Sequence, residues 1–440
     1  MPYNYLRLAK ARVFASRPAQ RICLTLRLPS GRVATLKPTI LLASTNSWLS
    51  PVRIAGTFSD LGCRVQAVCP PRNALTVSSA VRRAYLYRSF RPVISIDAAI
   101  EAADPDLVVP CDDLATAHLH AIYERESRYG SSPGSGTAAL LVRSLGSPAS
   151  YSIIDSRQEF LALAREEGVL VPNSASIPEP SALDGWIHAS GVPAVLKMDC
   201  TSGGEGVRIV ETRHQAHRAF RELVSRQPTA QTFKRILIDG DTASVARLLR
   251  RERPQVSVQK FIVGQDANLA LACWQGEVLA QIAAIVLKTR SPKGPAAVIR
   301  LIENSQMSAA GKKIVRRLGL SGFAGFDFVI EDRTGKAFLI EINPRATQTC
   351  HLQLGMRRNL SAALCASVSG SPMAKSPSVT ALHTIVLWPH VSENLLPARL
   401  VERAYFDTPR DDPEVVRLYG SRKRFTLSNA MKSLWKAARA

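Results

Sequence analysis

The chain has 440 residues, a length sufficient for two or three domains with sizeable cores. Hydrophobic residues make up 46% and charged residues 21%, a composition that excludes a disordered chain. The net charge of +22 would suit nucleic acid, a membrane surface or an anionic substrate, but it is spread along the chain without an RNP, zinc-finger or helix-turn-helix signature, so we expect no nucleic-acid partner.

Residues 1–36 form a basic N-terminal extension that contains no acidic residue. A disordered arm, an organelle transit peptide and a start codon placed too early all remain open. No apolar run reaches transmembrane length. The eight cysteines are scattered without a CxxC pair, which favours free thiols in a reducing compartment and a cytoplasmic location.

Residues 37–150 read as a small parallel α/β unit, because short apolar strands alternate with helices. No GxGxxG follows the first strand, so a dinucleotide site is unsupported. His118 and His120 fall on one of the helices, where positions i and i+2 diverge, and we take both as structural. Residues 129–150 are rich in Gly, Ser and Pro and are expected to be a linker or a mobile loop. Strands are predicted at 39–43, 64–68 and 107–110, and helices at 48–61, 96–103 and 112–128.

The next stretch places a lysine before a glycine-rich loop. Asp155 or Ser156 caps a predicted helix that ends at 167. A strand at 194–198 carries Lys197, the loop TSGGEG follows at 201–206, and a strand returns at 207–210. Backbone N–H groups of such a loop can approach phosphate oxygens, with the lysine as a nearby charge. A tight hairpin turn is the alternative reading.

The following region predicts antiparallel strands with helices on one side, which is an α+β pattern. A strand at 256–263 ends at Gly264, where a turn is expected at 264–266, and Asp266 and Asn268 precede the next strand. Further strands are predicted at 269–274 and 278–286, and a helix at 308–318.

A predicted hairpin of strands 324–331 and 336–343 follows. Phe326 and Phe328 share one face of the first strand, while Ile340 and Ile342 share one face of the second.

On the opposite face of this hairpin, Asp327, Glu341 and Asn343 are expected side by side. Two carboxylates and an amide oxygen suit Mg²⁺, which completes its shell with phosphates and waters. Arg345 follows at once and is placed to meet a phosphoryl group. A surface hairpin with solvated charges is the alternative.

The ordered set of the Lys197 strand, TSGGEG, VQKFIVGQD, GFDFVI and EINPR resembles the ATP-grasp superfamily, in the branch of carbamoyl-phosphate synthetase large-chain ATP domains and carboxylate–amine ligases. The resemblance covers residues 155–354. It implies a small parallel α/β pre-ATP-grasp domain followed by a two-lobed ATP-grasp fold with antiparallel sheets. The expected divisions are the extension 1–36, the Rossmann-like domain and linker 37–150, the ATP-grasp domain 151–361, and a segment 362–440 that completes or packs on the ATP-grasp lobe.

The resemblance also implies the roles of particular residues. Arg157 and Lys197 contact nucleotide phosphates, Asp266 binds ribose, and Arg345 stabilises the transferred phosphoryl group, so Arg345 and Lys197 are the catalytic candidates. The implied metal ligands are Asp327, Glu341 and Asn343. The implied loop and adenine-hinge residues are Ser202, Gly203, Gly204, Gly206, Gln259, Phe261 and Ile262.

The implied activity is that of an ADP-forming, ATP-dependent ligase with Mg²⁺ or Mn²⁺. It would activate a small carboxylate as an acylphosphate and join it to an amine. The expected partners are these two small molecules, and a homodimer is left open. A biotin-carboxylase-type subunit and a non-catalytic nucleotide-binding module are the alternatives.

Two basic segments remain. Lys288, Arg290, Lys293 and Arg300 surround residues 292–295 and form either an acidic-substrate site or a solvated loop. Residues 421–440 predict a basic amphipathic helix that lies on a membrane surface or packs on its own domain. His351 is expected to be structural.

Overall fold

The computed structural model describes most of the chain between residues 37 and 419. Two short strands before it, β1 (Leu26–Arg27) and β2 (Val33–Ala34), pair antiparallel. The predicted C-terminal helix and the tip of the TSGGEG loop lie outside the described residues. The described ranges are 26–27, 33–34, 37–129, 136–198, 206–225, 256–290, 294–373, 377–389 and 402–419.

The first unit is a four-stranded parallel sheet in the order β5-β4-β3-β6. Its apolar strands are buried between helices, as a parallel sheet requires. The predicted strands are confirmed, and β5 is an additional edge strand. The strands are β3 (Thr39–Ala43), β4 (Arg64–Cys69), β5 (Arg83–Leu86) and β6 (Leu107–Pro110). The helices are α1 (Ser50–Asp60), α2 (Pro92–Ala103) and α3 (Asp113–Tyr129).

The linker predicted at 129–150 is wrong in its second half, which forms α4 (Gly136–Leu145). Leu140, Leu141 and Leu145 of α4 pack in the same core as Leu119 of α3. The glycines and serines of this stretch lie around an apolar run whose burial stabilises the helix. A short helix, α5 (Tyr151–Asp155), leads into the next unit.

The second unit is a four-stranded antiparallel sheet in the order β7-β10-β8-β9. Leu183 and Trp186 of α7 and Phe220 and Leu223 of α8 pack together against its apolar residues. Helix α6 (Arg157–Glu166) precedes this sheet but packs in the core of the large sheet described next, where Phe160 stacks on Phe326. The helices of the small unit are α7 (Pro180–Ser190) and α8 (Arg213–Val224). The strands are β7 (Ser174–Ser176), β8 (Ala194–Met198), β9 (Val207–Val210) and β10 (Val256–Lys260).

The third unit is a seven-stranded sheet in the order β15-β14-β11-β12-β13-β16-β17, antiparallel except between β16 and β17. Its strands are β11 (Gly264–Trp274), β12 (Glu277–Thr289), β13 (Ala296–Ile302), β14 (Gly322–Glu331), β15 (Ala337–Asn343), β16 (Thr384–Val386) and β17 (Ala404–Phe406). Its helices are α9 (Ser305–Leu318) and α10 (Leu360–Ser369).

Helices cover both faces of this large sheet, so the prediction of helices on one side is wrong. Alternate residues of β11 point to different cores: Leu269 packs with Ile314 of α9, and Ala270 lies in the cluster that contains Leu364 of α10. The cluster of Ala270 and Leu364 also contains Phe58 of α1. The parallel unit is therefore packed directly on the large sheet.

Within the described ranges, no helix is long and apolar enough to cross a membrane. The two histidines of α3 are structural, as predicted: His118 Nε2 lies 3.1 Å from the Tyr87 hydroxyl, and His120 stacks on the Tyr151 ring at 3.8 Å.

Candidate active site

A β-bulge positions the polar face of the β14–β15 hairpin. Asp327 pairs with Glu341, but Phe328 pairs with Leu339, so Ile340 is the extra residue. Leu339 and Ile342 are both buried beneath the sheet, whereas Ile340 is partly exposed. The predicted shared face of Ile340 and Ile342 is therefore wrong, while Glu341 still lies directly opposite Asp327.

Asp327 is the centre of a hydrogen-bonded group. Its Oδ1 accepts from Asn268 Nδ2 at 2.5 Å, and its Oδ2 accepts from Asn343 Nδ2 at 3.1 Å. Burial, and then the neighbouring Glu341, raise the pKa of Asp327 to about 6, although the two amides oppose the shift. Asn268 was not predicted as part of the site. An asparagine alone does not indicate a functional role, and Asn268 reaches Asp327 from β11, the strand that pairs with β14.

The donor set fits a divalent cation of the magnesium type. Glu341 disfavours the ionised form of Asp327, and a bound cation would relieve this repulsion. Among the described residues, no three or more His, Cys, Asp or Glu side chains meet as a metal cluster. Two carboxylates are nevertheless what Mg²⁺ uses where substrate phosphates complete its shell.

Two arginines hold the other oxygens of this group. Arg157, the first residue of α6, donates from Nη2 to Glu341 Oε1 at 3.0 Å. The Ser156 hydroxyl accepts from the Glu159 N–H and so forms the N-cap that fixes this helix start. Arg345 Nη2 donates to Asn343 Oδ1 at 3.0 Å. Metal binding through the Asn343 oxygen thus requires this hydrogen bond to be exchanged.

The smaller sheet carries Lys197 towards this group. Lys197 is 8% exposed, and its positive charge partly offsets the rise that burial causes in the pKa of Asp266. Asp266 lies on β11, which begins at Gly264, so the predicted turn at 264–266 is wrong. A Cβ at Gly264 would lie 2.1 Å from the Ile330 carbonyl oxygen, a contact that only glycine allows.

The predicted hinge links the two sheets. Gln259 is buried on β10, and Phe261 and Ile262 lie between β10 and β11. The Phe261 N–H donates to the Pro193 carbonyl at 3.2 Å and is thus already used. β10 ends at Lys260, earlier than predicted, because the chain crosses there from one sheet to the other.

The glycine loop is described only at its base. The Met198 N–H donates to the Gly206 carbonyl at 2.9 Å, which closes the loop between β8 and β9. Ser202, Gly203 and Gly204 lie outside the described residues.

The region after Arg345 contains a buried ionic network. Asp407 pairs with His351 Nε2 at 2.7 Å and also binds Arg53 of α1. Burial alone would raise the pKa of Asp407, but His351 and Arg53 together hold it below its usual value. His351 is 5% exposed, so its predicted structural role is supported.

The basic cluster around 292–295 is not a single loop. Arg300 lies on β13, Lys288 near the end of β12, and Lys293 outside the described residues. Because β12 and β11 separate β13 from β14, Arg300 is not adjacent to Asp327.

Comparisons with known proteins agree with this architecture. The family model of the ATP-grasp domain matches residues 159–349. The carbamoyl phosphate synthase large chain of Clavibacter sepedonicus is 24% identical over 222 residues, which are 50% of this chain but 18% of that protein. The chain thus spans about a fifth of the length of the curated relatives it matches.

Two solved structures share the fold. A biotin carboxylase from Campylobacter jejuni superposes with a TM-score of 0.55 at 13% identity, covering 78% of this chain and 74% of that one. A carboxyaminoimidazole ribonucleotide synthase from Aspergillus clavatus superposes with a TM-score of 0.55 at 12% identity, covering 77% of this chain and 78% of that one. The predicted fold class is confirmed. Residues 159–349 thus match the ATP-grasp domain model, and the fold around them is shared with these two solved structures.

Proposed function

We propose that this protein is an ADP-forming ligase that uses MgATP to activate a small carboxylate and joins it to an amine. The observation that carries the proposal is the approach of the smaller sheet to the polar face of the large one. Asp327, Glu341 and Arg345 lie on the large sheet and the loop after it, and Lys197 approaches Asp266 from the smaller sheet.

Each proposed residue has one task. Asp327, Glu341 and Asn343 would hold Mg²⁺, which lowers the repulsion between ATP and a carboxylate. Lys197 and Arg157 would bind the phosphates, and Asp266 the ribose, with the base against Gln259, Phe261 and Ile262. The loop residues Ser202, Gly203, Gly204 and Gly206 would cover the phosphates and exclude water.

Arg345 would stabilise charge on the transferred phosphoryl group. A carboxylate oxygen attacks the γ-phosphorus, the bond to ADP breaks, and an acylphosphate forms. The amine nitrogen then attacks the acyl carbon, inorganic phosphate leaves, and the nitrogen loses a proton. Excluding water protects the acylphosphate from hydrolysis.

The same proposal covers the organisation of the chain. We divide it into an extension (1–36), a pre-ATP-grasp domain with its connection (37–150), the ATP-grasp domain (151–361) and a completing segment (362–440). β16 and β17 support the last assignment, because they extend the large sheet beyond β13. We place the reaction in the cytoplasm, since it consumes ATP and the six described cysteines are free thiols.

The test is an incubation with MgATP and pools of amino acids and small acids, with ADP, AMP and phosphate measured. We expect ADP and phosphate release that depends on one acid and one amine. Release that depends on bicarbonate and biotin would instead indicate a biotin-carboxylase-type subunit. MgATP binding without turnover in any pool would indicate a non-catalytic module, and AMP release would contradict acylphosphate chemistry.

A further inference from the structure

Arg345 is held by a residue of the parallel domain. Its Nε donates to Asp113 Oδ1 at 2.6 Å, and its Nη2 donates to Asp113 Oδ2 at 3.2 Å. Asp113 is the first residue of α3. Two parallel N–H to oxygen bonds of this kind fix the plane of a guanidinium as well as its position.

Backbone contacts lock the two partners together. The Ala346 N–H donates to the Pro110 carbonyl at 3.0 Å, and the Thr116 hydroxyl donates to the Pro344 carbonyl at 3.1 Å. Residues on both sides of Arg345 are thus attached to the corner between β6 and α3. The pairing with Asp113 is part of a docked interface and not a chance meeting of surface charges.

Asp112 organises this corner. It is 2% exposed and accepts from the Thr45 N–H at 2.8 Å, the Thr45 hydroxyl at 2.7 Å and the Ala115 N–H at 2.9 Å. It therefore ties the loop after β3 to the start of α3. That loop carries Trp48, whose ring centre lies 5.2 Å from the Arg345 guanidinium carbon. These hydrogen bonds fix the backbone at Asp112 and thereby the position from which the Asp113 side chain extends.

The corner lies where ligands bind in open α/β sheets. In the order β5-β4-β3-β6, the chain adds β4 and β5 on one side of β3 and then returns to add β6 on the other side. The topological switch point of the sheet therefore lies between β3 and β6. Loops from the carboxyl ends of these two strands form a crevice at that point. Here the crevice is filled by the segment that carries Arg345, so the parallel domain adds residues to the site on the large sheet.

The remaining donors of Arg345 are unevenly distributed. Its Nε–Nη2 edge is used by Asp113, and Nη2 also serves Asn343. Among the described residues, Nη1 makes a single long contact, 3.5 Å from the Ala346 carbonyl oxygen. The side chain is 12% exposed, compared with 56% for Asp113. Nη1 is thus the part of the guanidinium that can serve a ligand.

We propose that Asp113 is a positioning residue for the phosphoryl-transfer site. It occupies the Nε–Nη2 fork of Arg345, so that Arg345 meets the transferred group end-on through Nη1 and binds one oxygen instead of two. This inference rests on the proposed function of Arg345. It adds that the parallel domain sets the geometry of catalysis and that a fork-bound anion is excluded by Asp113.

Kinetics provide the first test, with Asp113→Ala, Asp113→Asn and the matched control Glu124→Ala. Glu124 lies on the same helix, is 63% exposed and is 3.8 Å from Arg128. For Asp113→Ala we expect kcat for ADP release to fall about tenfold or more, with the KM for MgATP nearly unchanged, because misplacement affects the transition state most. Asp113→Asn keeps one acceptor and should lose less activity. Glu124→Ala should match the wild type.

Binding of inorganic phosphate, followed by ³¹P NMR with and without MgADP, provides the second test. Opening the fork in Asp113→Ala should tighten phosphate binding about threefold or more, because a bidentate site becomes available. Equal phosphate affinity in Asp113→Ala and Glu124→Ala would overturn the proposal. A second result would also overturn it: a lower kcat in Asp113→Ala that is accompanied by a lower melting temperature, with an equally large loss of kcat in Asp113→Asn. Failure of the wild type to bind MgADP would instead count against the proposed function, while the nucleotide-free titration would still decide the role of Asp113.

Discussion

Gly325→Ala tests whether close packing behind the β14–β15 hairpin sets the position of the site. Gly325 lies on β14 opposite Asn343. An added Cβ would lie 2.4 Å from Thr347 Cγ2, whereas ordinary contacts begin near 3.4 Å. The neighbour must therefore move by roughly 1 Å, which corresponds to an overpacking cost of about 1–3 kcal/mol.

Thr347 cannot turn away without loss. Its N–H and its hydroxyl lie 3.2 and 3.3 Å from Cys350 Sγ, so rotation of the side chain would break the second contact. We therefore expect the backbone around Thr347 to move, and Arg345 lies only two residues before it. A displacement of about 1 Å at a catalytic arginine lowers the rate by up to about a hundredfold.

The assay is urea denaturation combined with ADP release from MgATP. The double variant Gly325→Ala/Thr347→Ser adds one methyl group and removes the one that it would strike, so it should recover most of the lost stability and rate. Gly56→Ala in α1 is the matched control, because a Cβ there meets nothing within 4 Å and should stabilise the helix by about 0.5–1 kcal/mol. The reasoning is refuted if Gly325→Ala behaves like Gly56→Ala, or if the double variant is no better than Gly325→Ala.

Three further predictions concern charge, pH and oxidation. Glu341→Gln keeps the side-chain shape but removes a charge from the proposed metal site, so Mg²⁺-dependent ADP release should fall at least about a hundredfold, and a rate within a few fold of wild type would contradict the assignment. Asp407→Asn should destabilise the fold by about 3 kcal/mol at neutral pH, since a buried charge loses its partner. Because the folded pKa of Asp407 lies below its usual value, this difference should be full above about pH 4 and shrink as acid protonates the wild type, whereas a difference that grows in acid would be inconsistent with the shift. The Cys63 and Cys365 sulfurs lie 3.3 Å apart, so diamide should remove one hydrogen from each thiol and link them, as seen by mass spectrometry of non-reduced peptides, and unchanged reduced peptides would argue against this proximity.

Local patterns in the sequence were sufficient for much of the architecture. Short apolar strands bounded by glycine and proline predicted β3, β6, β8 and β9 within a residue or so at each end, because burial dominates such segments. Alternation along the β14–β15 hairpin placed Asp327 beside Glu341 correctly. It could not reveal the bulge at Ile340, since one extra residue leaves no compositional mark.

Other features depend on contacts between distant segments. Asp113 and Asn268 were absent from the predicted site, because each reaches it from another unit or strand. A signal for Asp113 did exist, since two aspartates follow directly on a buried parallel strand, where ligand-binding crevices form. The residues around Asp266 are polar, so the local sequence predicts a turn there. They form a strand because they pair with β14, a contact between distant segments that the local sequence does not show.

Trapping of the acylphosphate tests the central claim most directly. Hydroxylamine is added to protein, MgATP and the carboxylate pool, and hydroxamate and ADP are quantified together. The proposal predicts carboxylate-dependent hydroxamate in step with ADP, with both products lost in Glu341→Gln. Release of AMP and pyrophosphate, or ATP consumption without any hydroxamate, would contradict it.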